Sequence, residues 1–307
     1  MIYFWIIFNA CALGALVLDA RWLRRPGRAV GFREALLRSV VWVAVAAAFA
    51  VFLRFWFGHQ TALEFVTGYV LELSLSVDNL FIFLLVFRYF AVPDEQQHRV
   101  LFWGIVGALV MRGVFIVAGV GMLRRFHWII YAFGALLILS GFRLLTTSGR
   151  PADPSRNFAV RMVRRWFPVT ESYVGGSFIV STTTGTSVTP LLLVLLVIET
   201  TDVLFAVDSI PAVLAITLNA FVVYTSNVLA ILGLRSLYFA VSGLITKFRY
   251  LHYGLAVILI LTGVKMLLAE RYPVSTVVAL SGLAVILATS VLASMVLPAA
   301  AEGSPDS

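Results

Sequence analysis

Residues 189–213 read TPLLLVLLVIETTDVLFAVDSIPAV. The run is apolar and long enough to cross a bilayer, since about 20 helical residues cover roughly 30 Å of hydrocarbon. It nevertheless carries Glu199, Asp202 and Asp208. An ionised side chain at the centre of a membrane helix costs on the order of several kcal/mol, so intramembrane acids mark sites of use or of pairing. A second stretch, YVLELSLSVDNLFIFLLVF at 69–87, has the same character, with Glu72, Asp78 and Asn79 among aliphatic residues.

The rest of the chain agrees with a bilayer as its solvent. Of 307 residues, 61% are hydrophobic and 12% charged, where a soluble domain carries about 25% charged residues. No water-soluble interior of this size hides so much apolar surface. A soluble enzyme, a secreted disulfide scaffold and a disordered regulator are excluded. The lone cysteine, Cys11, has no partner for an internal disulfide. The net charge of +8 comes mainly from residues in short connections between apolar runs, with Arg54, Arg112 and Arg235 inside such runs, and not from one stripe. It therefore points to membrane orientation and not to nucleic acid. No P-loop, CxxC or HExxH pattern is present, and the four histidines are scattered.

The chain reads as an all-α polytopic membrane protein with about nine transmembrane helices, near 2–18, 39–57, 64–87, 100–121, 127–144, 190–213, 219–241, 250–268 and 275–297. The first run, MIYFWIIFNACALGALVLD, has no positive charge ahead of it and is followed by Arg21, Arg24, Arg25 and Arg28. That is the reverse of a secretory leader, so an uncleaved helix with its N-terminus outside is expected. The inner loops then hold Arg21 to Arg38, Arg88, Arg99, Arg143, Arg150, Arg156, Arg161, Arg164, Arg165, Lys247 and Arg249. The outer loops hold Arg124, Arg125, Lys265 and Arg271. The imbalance predicts N-terminus out and C-terminus in. Within 145–189, ESYVGGSFIVSTTTGTSVTP reads as a small hairpin on the cytoplasmic face, because Gly and Thr clusters mark turns and strands.

The two acidic stretches are copies of one another. A shift of 130 residues carries Val77-Asp78 onto Val207-Asp208 and Glu72 onto Asp202. After a gap, Arg112 falls on Arg235, Tyr131 on Tyr253, Gly141 on Gly263 and Arg143 on Lys265. The unit is three helices, an odd number, so its copies enter the membrane from opposite faces. Inverted repeats of this kind place a site at their interface near mid-membrane. The organisation expected is two peripheral helices over 1–60, the first repeat over 61–145, and a basic cytoplasmic linker over 146–189. The second repeat covers 190–268, and a last helix with a short flexible tail covers 269–307.

Pro211 lacks a backbone N–H and clashes with the preceding turn, which predicts a kinked or unwound segment at 207–211. Asp78, Asn79, Asp208 and Ser209 are then expected to meet across the repeat interface, with Glu72 and Asp202 as further carboxylates. Glu199 and Asn227 are additional candidates, and Arg112 and Arg235 are candidates for pairing with surplus negative charge. Carboxylate, amide, hydroxyl and carbonyl oxygens suit hard divalent cations such as Mg²⁺, Ca²⁺ or Mn²⁺. No resident cofactor and no catalytic residue is expected.

ELSLSVDN at 72–79, the 189–213 stretch, SNVLAILGLRSLYF at 226–239 and GLxxILxxxGVKML at 254–267 together resemble the TerC family of integral membrane proteins, which includes the Alx proteins. The resemblance runs from about residue 60 to 270. It implies a multi-pass inner-membrane protein, grouped with transporters of the lysine-exporter superfamily and linked to manganese export, tellurite resistance or alkaline response. It also carries functional weight onto Glu72, Asp78, Asn79, Glu199, Asp202, Asp208 and Ser209. The segment before Pro190, STTTGTSV, is less charged than that family's pattern. The function expected is export of a divalent cation, manganese above all, with protons as counter-ions. The alternative is a membrane scaffold or assembly factor in a metal-, tellurite- or alkaline-stress complex, in which the acids pair structurally with arginines.

Overall fold

The computed structural model describes residues 2–22, 32–126, 128–146, 157–182, 185–241, 250–269, 271–272 and 274–296. Its elements are α1 (Ile2–Trp22), α2 (Phe32–Phe57), α3 (His59–Tyr89), α4 (Asp94–Arg125), α5 (Ile129–Thr146) and α6 (Phe158–Trp166). There follow strands β1 (Ile179–Thr182) and β2 (Gly185–Val188), then α7 (Pro190–Leu214), α8 (Ala220–Val241), α9 (Leu251–Leu268) and α10 (Thr276–Val296). Among the described residues, seven helices are long and apolar enough to span a membrane: α2, α4, α5 and α7 to α10. The chain is thus an all-α polytopic membrane protein. Against the nine spans expected, α1 is apolar over the shorter stretch Ile2–Leu18, and α3, which carries Glu64, Glu72 and Asp78, is not among the seven.

Polar side chains inside these helices are mostly satisfied by their own backbone. Thr67, Ser74, Thr201 and Thr225 each donate to the carbonyl four residues back, which removes the cost of an unpaired hydroxyl in an apolar setting. Pro190 opens α7 at a first-turn position, where its missing N–H leaves no helical bond unmade. Pro211 stands inside α7, yet the helix continues to Leu214. Likewise α3 stays helical through Asp78 and Asn79. The unwound segment expected at 207–211 is therefore not present. Pro211 has no N–H to offer the carbonyl of Val207, and α7 stays helical without that bond.

Helix α8 is the centre of the bundle. Of its most apolar stretch 82% is buried, against 11% for α10 at the periphery. Helix α4 divides cleanly: Val110, Val114 and Val117 are exposed, while Ala108, Arg112, Ile116 and Gly119 face inward. That is the i, i+4, i+7 geometry of one helical face. The most extensive helix pair is α5 with α9. A Cβ on Gly134 would lie 3.0 Å from the carbonyl oxygen of Gly263, and one on Gly141 would lie 2.8 Å from that of Ala256. The two helices run antiparallel at backbone contact, as small residues permit.

The connections sort the bundle into two ends. At one, Gln60 donates to Thr276 (2.9 Å), and Arg124 donates to the carbonyl of Leu218 (3.3 Å). At the other, Tyr173 donates to the carbonyl of Phe90 (2.6 Å), and Arg99 donates to that of Gly176 (2.7 Å). Strands β1 and β2 form an antiparallel pair with Ile179 opposite Val188. Thr189 ties the pair to the start of α7 through the carbonyl of Ser177 (2.6 Å).

Candidate functional site

Arg112 sits at the middle of α4 and is among the largest fully buried side chains. Its Nε and Nη2 donate to the two oxygens of Asp202 on α7, at 3.3 and 3.1 Å. This two-pronged grip matches the planar fork of a guanidinium to a carboxylate. Its Nη1 donates to Glu72 on α3, to the amide oxygen of Asn227 on α8 at 2.8 Å and to Ser209 Oγ at 3.4 Å. Asn227 Nδ2 in turn donates to the second oxygen of Glu72 at 3.0 Å. Four helices from both halves of the chain thus converge on one buried cation.

Formal charge does not balance there. Among the described side chains, two carboxylates face one guanidinium, so ionised acids would leave one negative charge in excess. Glu72, Arg112, Asp202, Ser209 and Asn227 are all at or below 4% exposure, so water does not screen that excess. Counted over the described side chains, the cluster is neutral only with a proton or a further cation.

Asp208 is not part of this group. The six residues between Asp202 and Asp208 turn the helix by about 600°, an offset of about 120°. Asp208 faces α5, where its Oδ1 accepts from Ser140 Oγ at 2.6 Å and Arg143 interacts with it electrostatically. The sequence expectation that Asp208 and Ser209 share one pocket is corrected in this respect: Ser209 reaches Arg112 and Asp208 points elsewhere. Glu199 lies over Gly107 of α4, so tightly that a Cβ there would collide with its carboxylate. It interacts with Asp202 as a like charge. Asn79 is buried. The side chains of Asp78 and Arg235 lie outside the described residues.

Some members are invisible in the sequence. Ser140 carries no motif, and its role depends on how α5 meets α7. Ser76 follows Glu72 by one turn, is fully buried, and its Oγ has no partner among the described residues. Its hydroxyl in the ELSLS pattern was the available signal. Among the described residues, no three His, Cys, Asp or Glu side chains gather closely enough to hold a metal ion.

Comparison with known proteins places the chain. The model of the Integral membrane protein TerC family matches residues 57–302. An uncharacterized membrane protein of Myxococcus xanthus is 42% identical over 292 residues, covering 95% of this chain and 92% of its own. The membrane-bound protein Alx of Photorhabdus laumondii, whose name proposes it as a redox modulator, is 40% identical over 278 residues, 88% of this chain and 87% of its own. The Alx protein of Escherichia coli is 40% identical over 267 residues, 84% and 83% of the two chains. No solved structure matches. The chain belongs to the TerC family and is a multi-pass membrane protein of the bacterial inner-membrane type.

Proposed function

We propose, with TerC-family membership as the premise, that the protein moves cations across the inner membrane and that manganese is the ion it exports. The observation that carries this reading is the environment of the Arg112 guanidinium. A cation already sits among carboxylate, amide and hydroxyl oxygens from Glu72, Asp202, Asn227 and Ser209. Those are the donors that hard divalent ions take. In this reading Arg112 is a tethered substitute that keeps the site closed. When it withdraws, the ion enters, and the vacated carboxylates accept protons as counter-ions. Asp78, Asn79, Asp208 and Glu199 serve the same path. A thiol-based form of the redox role named for the Alx relatives would rest on Cys11 alone, so the metal reading is preferred.

The same reading takes α1 and α3 as spans, giving nine, with the N-terminus outside, the C-terminus inside and the 146–189 segment cytoplasmic. It takes α3–α5 and α7–α9 as an inverted repeat. Two facts support the repeat. Glu72 and Asp202, at matching positions, meet on one residue. And exchanging the two units turns the Gly134–Gly263 contact into the Gly141–Ala256 contact, which is also present. A two-fold axis in the membrane plane has that property.

A second reading is favoured by the same cluster taken as it stands. Glu72 and Asp202 are spent on Arg112 and Asn227, and this pairing needs no rearrangement to be the final state. The protein would then be a membrane scaffold or assembly factor for a stress complex, with the acids acting as a clamp. On side-chain pairing alone the clamp fits more directly, since transport requires Arg112 to move.

Cellular manganese and growth under manganese stress, compared for the intact protein, Asp78→Asn and Asp208→Asn at equal membrane abundance, separate the two. Transport predicts loss of export while the protein still folds. Scaffolding predicts unchanged manganese. Vesicles loaded with a metal-sensitive dye then test movement of the ion and of protons.

A further inference from the structure

Helix α6, Phe158–Trp166, is nine residues long and divides into three sectors at about 100° per residue. Val160 is 1% exposed and packs in a cluster with Leu191, Leu193, Val194 and Val197 of α7. Phe158, Met162 and Trp166, spaced i, i+4, i+8, form a second sector and are 72, 50 and 72% exposed. Arg161, Arg164 and Arg165 form the third; all are exposed, and none has an ion pair among the described residues.

The position of this helix is fixed by its first residue. Asn157 caps it by accepting from Ala159 N (2.9 Å), and it also donates to Thr200 Oγ1 (2.7 Å). Thr200 lies ten residues into α7, about 15 Å along the helix axis. At its other end, the chain returns to the start of α7 through the pairing of Val169 with Val188. Helix α6 therefore lies alongside the spanning helix, antiparallel to its first half, and not beyond its end. It stands at the bundle end that holds the α3–α4 turn.

A stripe of Phe, Met and Trp at that level, flanked by three arginines with no ion pair among the described residues, has the chemistry of an interfacial helix. We propose that α6 is embedded in one leaflet and binds an anionic phospholipid there. Phe158, Met162 and Trp166 lie against the acyl chains, and Arg161, Arg164 and Arg165 gather around the headgroup phosphate. Guanidinium groups grip phosphate oxygens in pairs. Assignment to the cytoplasmic leaflet rests on the orientation proposed above; binding itself does not rest on manganese export.

The test uses the full-length protein in phosphatidylcholine discs carrying added phosphatidylglycerol. Replacing Arg161, Arg164 and Arg165 by Gln is expected to weaken phosphatidylglycerol binding about fivefold per arginine, near a hundredfold together. Replacement by Lys, which keeps the charge but not the paired grip, is expected to restore part of it. Trp166 is expected to be quenched by lipids brominated on the acyl chain, read as the difference from Trp166→Phe. Three results would overturn the proposal. One is undiminished phosphatidylglycerol binding by the Gln variant. Another is displacement of the lipid by inorganic phosphate at equal concentration, which would assign the arginines to a free anion. The third is a Trp166 insensitive to brominated lipid but quenched by aqueous acrylamide, which would turn the stripe toward water or a soluble protein.

Discussion

Glu72 and Asp202 hold one guanidinium between them, that of Arg112, from opposite halves of the chain. The half-to-half junction of the protein is therefore electrostatic at its centre, among clusters of aliphatic and aromatic side chains.

Removing the cation should be costly. Arg112→Ala leaves two buried carboxylates unpaired, and breaking a buried pair from one side costs about 3–5 kcal/mol. Unfolding in detergent should show that loss. Adding Glu72→Gln and Asp202→Asn to the same chain should recover most of it. A triple variant as unstable as the single one would mean that the guanidinium acts through packing and not through charge.

Asn227 bridges the two charges, accepting from Arg112 and donating to Glu72. Asn227→Leu keeps the volume but removes both bonds. The stranded carboxylate oxygen should cost about 1–3 kcal/mol. Thermal unfolding checks this, and an unchanged midpoint would show that another donor replaces the amide.

The α5–α9 contact predicts a graded series. Gly141→Ala and Gly263→Ala each place a methyl group within 2.8 Å of a facing backbone carbonyl or closer, so each should cost about 1–3 kcal/mol through overpacking. Gly14→Ala in α1 meets nothing within 4 Å. It should be neutral or stabilise by up to about 1 kcal/mol, since Ala is the better helix former. Equal effects at all three positions in a stability assay would refute close approach as the reason.

Tyr173 makes the docking of its loop sensitive to strong alkali. Burial pushes its phenol up to about 12 from the ordinary 10, so the folded form favours the protonated group. Its contribution is whole below pH 10 and fades as pH rises toward 12. Its hydroxyl can hold the carbonyl of Phe90 only while protonated. Hydrogen exchange at 170–178 should rise across that window in the intact protein. In Tyr173→Phe it should be raised already at neutral pH and show no further step.

Helix positions were readable because hydrocarbon length and the placement of Arg, Pro and Gly leave little freedom. Pro190 opens α7 as its chemistry requires, and Glu72, Asp202 and Arg112 drew attention because charge among aliphatic residues is expensive. What sequence could not give was azimuth. Asp202 and Asp208 flank one helix at about 120°, and only tertiary packing decides that the first meets Arg112 while the second meets Ser140. Pro211 does not unwind α7, which stays helical to Leu214; a proline's residue type does not say whether the helix around it unwinds or carries on. Helix α6 was hidden because nine residues are too few for a periodic signal to separate from a basic linker.

Helices α2 and α3 are separated by Gly58 alone, at φ 95°, a backbone geometry that disfavours any side chain. A one-residue elbow allows no slack. Any shift of α3 would drag α2 and its neighbours along. An insertion at this corner would sever that mechanical tie while leaving every side chain around Arg112 untouched.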